Sequence, residues 1–142
     1  MIVLDTNILS EMMRVRPDPH VMSWLNRQRP NQIYVSAITQ AEMLLGVALL
    51  PTGKRRTSLA TQIDALFAED FAHHCLPFDS RAAAHYAQIV SVRHKSGKPV
   101  STEDAQIAAI ARSRSFQIAT RNVADFADIH ALEIVNPWVA SD

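Results

Sequence analysis

The first seven residues, Met1-Ile2-Val3-Leu4-Asp5-Thr6-Asn7, constrain this chain more than any other stretch. An apolar run this short, ending abruptly in polar residues, reads as a buried strand rather than a helix. In an open parallel sheet, ligands and chemistry gather just beyond the carboxyl ends of the strands, so an acid placed there is aimed at a site. Asp5 is therefore the first candidate functional residue.

Downstream, short apolar runs alternate with segments of helical periodicity, which predicts an α/β fold. Strands are expected at Ile2-Leu4, Ile33-Val35, His74-Leu76, Gln117-Ala119 and Glu133-Val135, each flanked by polar or proline punctuation. Helices are expected from Asp18 to about Arg27, Ala37 to Leu50, Lys54 to Ala68, Asp79 to Lys95 and Thr102 to Ser115, with a short turn at Val123-Phe126. Met43, Leu44, Val47, Leu49 and Leu50 on the second of these, and Tyr86, Ile89 and Val90 on the fourth, form stripes expected to bury against the sheet. Trp24 and Trp138 read as packing groups.

At 142 residues the chain fits one domain, spanning 1–142, with room for a full core. Its 14 basic and 14 acidic side chains cancel, so a protein that coats nucleic acid or anionic membrane by bulk charge is excluded. Any such contact must be local. The single Cys75, in His73-His74-Cys75-Leu76, has neither metal-site spacing nor a disulfide partner, which suits a reducing compartment and makes the cytoplasm the expected location. No apolar run approaches membrane-spanning length, and the N-terminal segment lacks the basic start of a secretion signal.

Four acids sit where a strand or loop turns into a helix: Asp5, Glu42, Asp104 and Asp125. Singly, each has a structural explanation. Asp5 caps a following turn, Thr39-x-x-Glu42 and Ser101-x-x-Asp104 fit capping boxes, and Asn122-x-x-Asp125 fits an N-cap with a first-turn acid. Jointly the balance changes, because right-handed crossovers put helix starts on the same edge as strand ends and make these acids converge. Converging carboxylates need shared protons or a bound cation. Hard oxygen donors without histidine or thiol select Mg²⁺ or Mn²⁺ over zinc.

Four ordered motifs carry a resemblance. Asp5-Thr6-Asn7 after the first strand, Ser36 to Gly46 around Glu42, Thr102 to Ala109 around Asp104, and Ala119 to Phe126 resemble the PIN-domain ribonucleases. More narrowly they resemble the VapC toxins of bacterial type II toxin–antitoxin modules, in the subgroup that includes FitB. The likeness runs from Met1 to Asn136-Pro137-Trp138. It implies a three-layer α/β/α fold with a central parallel sheet of about five strands, and an acidic pocket holding one or two Mg²⁺ or Mn²⁺ ions. Asp5, Glu42 and Asp104 align with the family's acids and are the implied metal ligands. Many members carry a fourth acid where this chain has Asn122, so either Asp125 substitutes or Asn122 coordinates through its carbonyl oxygen or orients a water. Thr6, Asn7 and Thr120 resemble the polar residues lining the same pocket.

Carboxylates without a histidine base point to metal-assisted phosphodiester hydrolysis, leaving a 5′-phosphate and a 3′-hydroxyl, and the resemblance implies RNA as the substrate. Arg121, beside the site, and Lys98, in the Gly97 loop, are the expected phosphate contacts. No aromatic platform interleaved with basic residues is legible in the sequence. Two rivals compete: an aspartyl phosphotransferase, disfavoured because Asn7 stands where a second Asp is usual, and a non-catalytic binding module whose site has decayed at Asn122. The resemblance further implies a VapB-type antitoxin whose C-terminal segment blocks the pocket, a homodimer, a toxin–antitoxin hetero-oligomer, and contact with operator DNA only through the antitoxin.

Overall fold

The computed structural model describes residues 1–139. Among these residues, five strands form one parallel sheet: β1 (Ile2–Leu4), β2 (Ile33–Ser36), β3 (Cys75–Leu76), β4 (Gln117–Ala119) and β5 (Ile134–Val135), in the order β3-β2-β1-β4-β5. The helices are α1 (Thr6–Met12), α2 (Pro19–Arg27), α3 (Ala37–Ala48), α4 (Lys54–Ala65), α5 (Ser80–Lys95), α6 (Thr102–Ser113) and α7 (Val123–Phe126). The expected α/β class and the three-layer arrangement are both present.

Strand pleating explains the layers. Successive side chains of β1 point to opposite faces, so Val3 joins one apolar cluster and Leu4 the other. Val3 packs with Ile89, Ile107, Ile110 and Phe126, from α5, α6 and α7. Leu4 packs with Ile8, Leu9, Val21, Trp24, Met43 and Ile63, from α1 to α4. Helix α6 is buried along most of its length, because Ala105, Ala108, Ala109 and Ala111 alternate with Ile107 and Ile110 and let it lie close to the sheet.

Several expectations need correction. Helix α1 was not foreseen: the Asp5 side chain accepts from the Thr6 amide and starts a helix immediately after β1, leaving no connecting loop to announce it. Helix α3 is capped by Ser36, whose hydroxyl accepts from the Thr39 amide, so Thr39-x-x-Glu42 is not a capping box. Ser101 does cap α6 through the Asp104 amide. Asn122 occupies the N-cap position of α7 but makes no side-chain cap bond. The helix expected to run from Lys54 to Ala68 ends at Ala65 and continues as a π-helical turn, Leu66–Asp70. On α3, Met43 is buried as expected, whereas Leu44 and Leu49 are 44% and 75% exposed and do not face the sheet.

The strand order sets the site. From β1 the chain builds outward through β2 to β3, then returns across the sheet to β4 on the other side of β1. The crevice at such a reversal opens beyond the carboxyl ends of the two strands that diverge there. Those ends carry Asp5 after β1 and Thr120 after β4.

Candidate acidic cleft

A cleft of about 450 Å³ opens at this reversal, and Asp5, Thr6, Asn7, Glu42, Asp104, Arg121 and Asn122 all line it. Asp5, Glu42 and Asp104 thus share one hollow although they come from three distant segments. Asp5 follows β1, Glu42 lies one turn and a half into α3, and Asp104 is in the first turn of α6.

Asp5 is buried at 4% exposure and is held on both oxygens. Its Oδ1 accepts from the Thr6 amide at 2.8 Å, and its Oδ2 accepts from the Thr120 hydroxyl at 2.8 Å and from Asn7 Nδ2 at 3.3 Å. Burial pushes the Asp5 carboxyl above the usual aspartate range; the Thr120 and Thr6 bonds pull it back, and the charges of Glu42 and Asp125 push it up again. Asn7 also bridges outward, since its Oδ1 accepts from the Arg121 amide at 3.2 Å.

Glu42 is aimed by a chain of hydroxyls. Thr6 Oγ1 donates to Glu42 Oε1 at 2.9 Å, which commits the only Thr6 hydroxyl proton. The 3.0 Å contact between Thr6 and Thr39 must then be donated by Thr39, which in turn accepts from Ser36 Oγ at 3.3 Å. The chain runs from the end of β2 to the cleft with one polarity. Burial raises the Glu42 carboxyl, the Thr6 bond lowers it, and the charges of Asp104 and Glu103 raise it. Asp104 is likewise raised, by burial first and then by the Asp5 charge.

The other expected site residues divide. Asn122 lines the cleft and its amide donates to Thr120 Oγ1 at 3.0 Å. Asp125 does not line it: it faces a neighbouring depression with Lys98 and Arg93, which meets the cleft only at Asp104, although its charge still acts on Asp5 and Asp104. Lys98 pairs with Asp128 at 3.0 Å and stands away from the cleft. Arg121 is on the cleft wall, with its guanidinium 5.2 Å from the centre of the Trp138 ring.

Three cleft residues escaped the sequence reading: Ser10, Glu11 and Trp138. Glu11 is buried and accepts from the Arg14 guanidinium and the Asp18 amide, closing the α1–α2 connection. Its signal was an acid with an arginine three residues on. Trp138, expected only to pack, borders the cleft as well.

The donors fit a hard divalent cation in type and charge: three carboxylates, each held in a partly desolvated setting where ionisation is disfavoured until positive charge compensates. They form an open set. Among the described residues no three acid, histidine or cysteine groups are close enough to make a ready-formed metal cage.

Comparison with known proteins agrees with this geometry. The family model of the PIN domain matches residues 2–132. The chain is 42% identical over 140 residues to the toxin FitB of Neisseria gonorrhoeae, covering 97% of this chain and 99% of that one. It is 40% identical over 138 residues to the VapC ribonuclease Y4jK of Sinorhizobium fredii, covering 97% and 98%. Among solved structures, that of FitAB bound to an IR36 DNA fragment superimposes with a TM-score of 0.90 at 41% identity, over 100% of this chain and 99% of that one.

Proposed function

The chain belongs to the PIN domain family, in the branch of the VapC ribonucleases and FitB, and from that membership we propose that it is the toxin of a toxin–antitoxin pair, acting as an Mg²⁺- or Mn²⁺-dependent endoribonuclease. The observation that carries this reading is the meeting of Asp5, Glu42 and Asp104 on one cleft at the reversal of the sheet. Residues 1–142 act as one PIN domain, and the cytoplasm is the proposed location. Among the described residues no helix is long and apolar enough to cross a membrane.

In this mechanism Asp5 and Asp104 would be the principal ligands of the cation, beside Glu42. A bound Mg²⁺ or Mn²⁺, one ion or two, supplies charge neutralisation at the phosphate and a more acidic water. Asp5 is fixed for this role by Thr6 and Thr120, and so cannot swing away as an exposed aspartate would. Glu42, with Oε1 held by Thr6, would complete that set or hold a water beside the phosphate. Asn122 takes a polar place on the wall where many relatives carry a further acid. Cleavage leaves a 5′-phosphate and a 3′-hydroxyl, and the RNA 2′-hydroxyl is not the nucleophile.

The proposed partners are RNA, a VapB-type antitoxin and a second copy of the chain, with operator DNA reached only through the antitoxin. A groove of about 1000 Å³ between α1, α3 and α4 runs into the acidic cleft, sharing Thr6, Arg14 and Glu42 with it, and offers Met43, Val47, Leu59 and Ile63 to an apolar segment. An antitoxin lying there can place an arginine against the carboxylates, replacing the cation's charge. The exposed α3 residues Leu44, Leu45 and Leu49 suit burial against a second copy.

Purified protein incubated with structured RNA, with and without Mg²⁺ and beside Asp5→Ala, tests the reading. Metal-dependent cleavage lost in the variant is the expected result. RNA binding without cleavage would instead support the decayed-site module, and equal cleavage by both proteins would trace the activity to a contaminant.

A further inference from the structure

We propose that Arg121 and Trp138 form a stacking clamp for one nucleobase of single-stranded RNA beside the acidic cleft. The proposal rests on the ribonuclease reading above and specifies how that site grips its substrate.

The cleft has a problem of charge. Asp5, Glu11, Glu42 and Asp104 line it, and of its two arginines Arg14 is tied to Glu11 at 3.2 Å. With a net charge of zero, the chain has no surplus of cations to draw a polyanion toward those carboxylates. A grip that does not depend on charge is therefore valuable here. Stacking supplies one, because every base has a π-face and guanidinium planes and indoles both stack on it.

The clamp is built on neighbouring strands. Arg121 leaves β4 and Trp138 follows β5, and the two strands pair in parallel, so residues 17 positions apart in sequence meet in space. Each is fixed at its backbone: the Arg121 amide donates to Asn7 Oδ1 at 3.2 Å and the Trp138 amide to Asn136 Oδ1 at 2.9 Å. Trp138 packs on the apolar cluster that includes Leu4 and Ala119 and is only half-buried, and the Arg121 guanidinium lies over its ring at 5.2 Å. Holding the guanidinium over the ring before the ligand arrives removes much of the ordering cost of binding. Bases inside a duplex are already stacked and paired, so such a clamp selects loops and single strands.

The test uses full-length Asp5→Asn protein, single-stranded RNA hexamers, and the same hexamers carrying one abasic residue at each position in turn. Trp24 is 8% exposed, so tryptophan quenching on titration reports chiefly Trp138. The intact hexamer is expected to quench, and to bind about tenfold more tightly than the hexamer abasic at the clamped position. With binding to the variants read by anisotropy of end-labelled hexamers, Trp138→Leu should lose that advantage and Trp138→Phe retain most of it. If every abasic hexamer binds as tightly as the intact one while unaltered protein cleaves RNA with Mg²⁺, the clamp is wrong and the nuclease reading stands. If Trp138→Leu weakens intact and abasic hexamers equally, Trp138 merely supports Arg121 at a phosphate and the clamp is again wrong. Failure of unaltered protein to cleave RNA, with no hexamer bound by Asp5→Asn, overturns both readings together.

Discussion

Thr120 Oγ1 donates a 2.8 Å hydrogen bond to Asp5 Oδ2 across 115 positions of sequence, joining the ends of β4 and β1. The same oxygen accepts from the Asn122 amide and from Asn7 Nδ2, so one fully buried hydroxyl organises both the acid and the turn that follows β4. Removing it takes the shorter of two hydrogen bonds from a buried carboxylate oxygen, leaving the 3.3 Å bond from Asn7, and deprives the Asn122 amide of this acceptor.

Thr120→Val is therefore expected to cost about 1–3 kcal/mol of stability, read by urea unfolding, while Thr120→Ser keeps most of it. Because the Thr120 bond lowers the Asp5 carboxyl, its loss should also move the acidic limb of the pH–rate profile upward.

Asp5, Glu42 and Asp104 are all raised in the folded state. A group raised by folding stabilises the fold fully below its unfolded value, and that contribution is lost as pH rises through the folded one. The metal-free protein should thus lose the contribution of these acids above the ordinary carboxylate range. At pH 7 in EDTA, Asp104→Asn is expected to melt on the order of 3 °C higher than the unaltered chain, the difference shrinking as pH falls toward 4. Added Mg²⁺ should reverse the order, since the unaltered chain gains more from the cation.

Asn122 lines the cleft without a charge. Asn122→Asp adds an anionic donor, so half-saturation by Mg²⁺ should fall roughly severalfold. An unchanged Mg²⁺ dependence would place Asn122 outside the cation's surroundings.

Leu45 and Leu49, 59% and 75% exposed on α3, are proposed to be covered by a second copy. Leu45→Glu with Leu49→Glu should elute as a single chain by size exclusion with light scattering, at unchanged circular dichroism. Persistence of the dimer would move its interface elsewhere.

Much of the architecture was legible because it is local. Alternation and helical periodicity act over a few residues, and they located β1 and β4 to the residue and the other strands to within one at an end. The acids were legible because strand ends and helix starts share an edge in a parallel sheet, which brought Asp5, Glu42 and Asp104 to one cleft. Asp125 and Lys98 were misplaced for the converse reason. Both are near Asp104 along the same rim, but α7 and the Gly97 loop turn them into the next depression.

By itself, then, the amino-acid order determined the alternating elements and the acidic edge, because those follow from side-chain period and from the handedness of crossovers. Tertiary structure alone decided that Thr39 and Ser36 back Glu42 through Thr6, that Trp138 lies under Arg121, and that Leu44 and Leu49 face outward. These depend on which faces of distant segments meet after the chain has crossed the sheet. Such contacts leave no periodic trace, since hydrogen-bond and stacking distances constrain positions in space and not spacing along the chain.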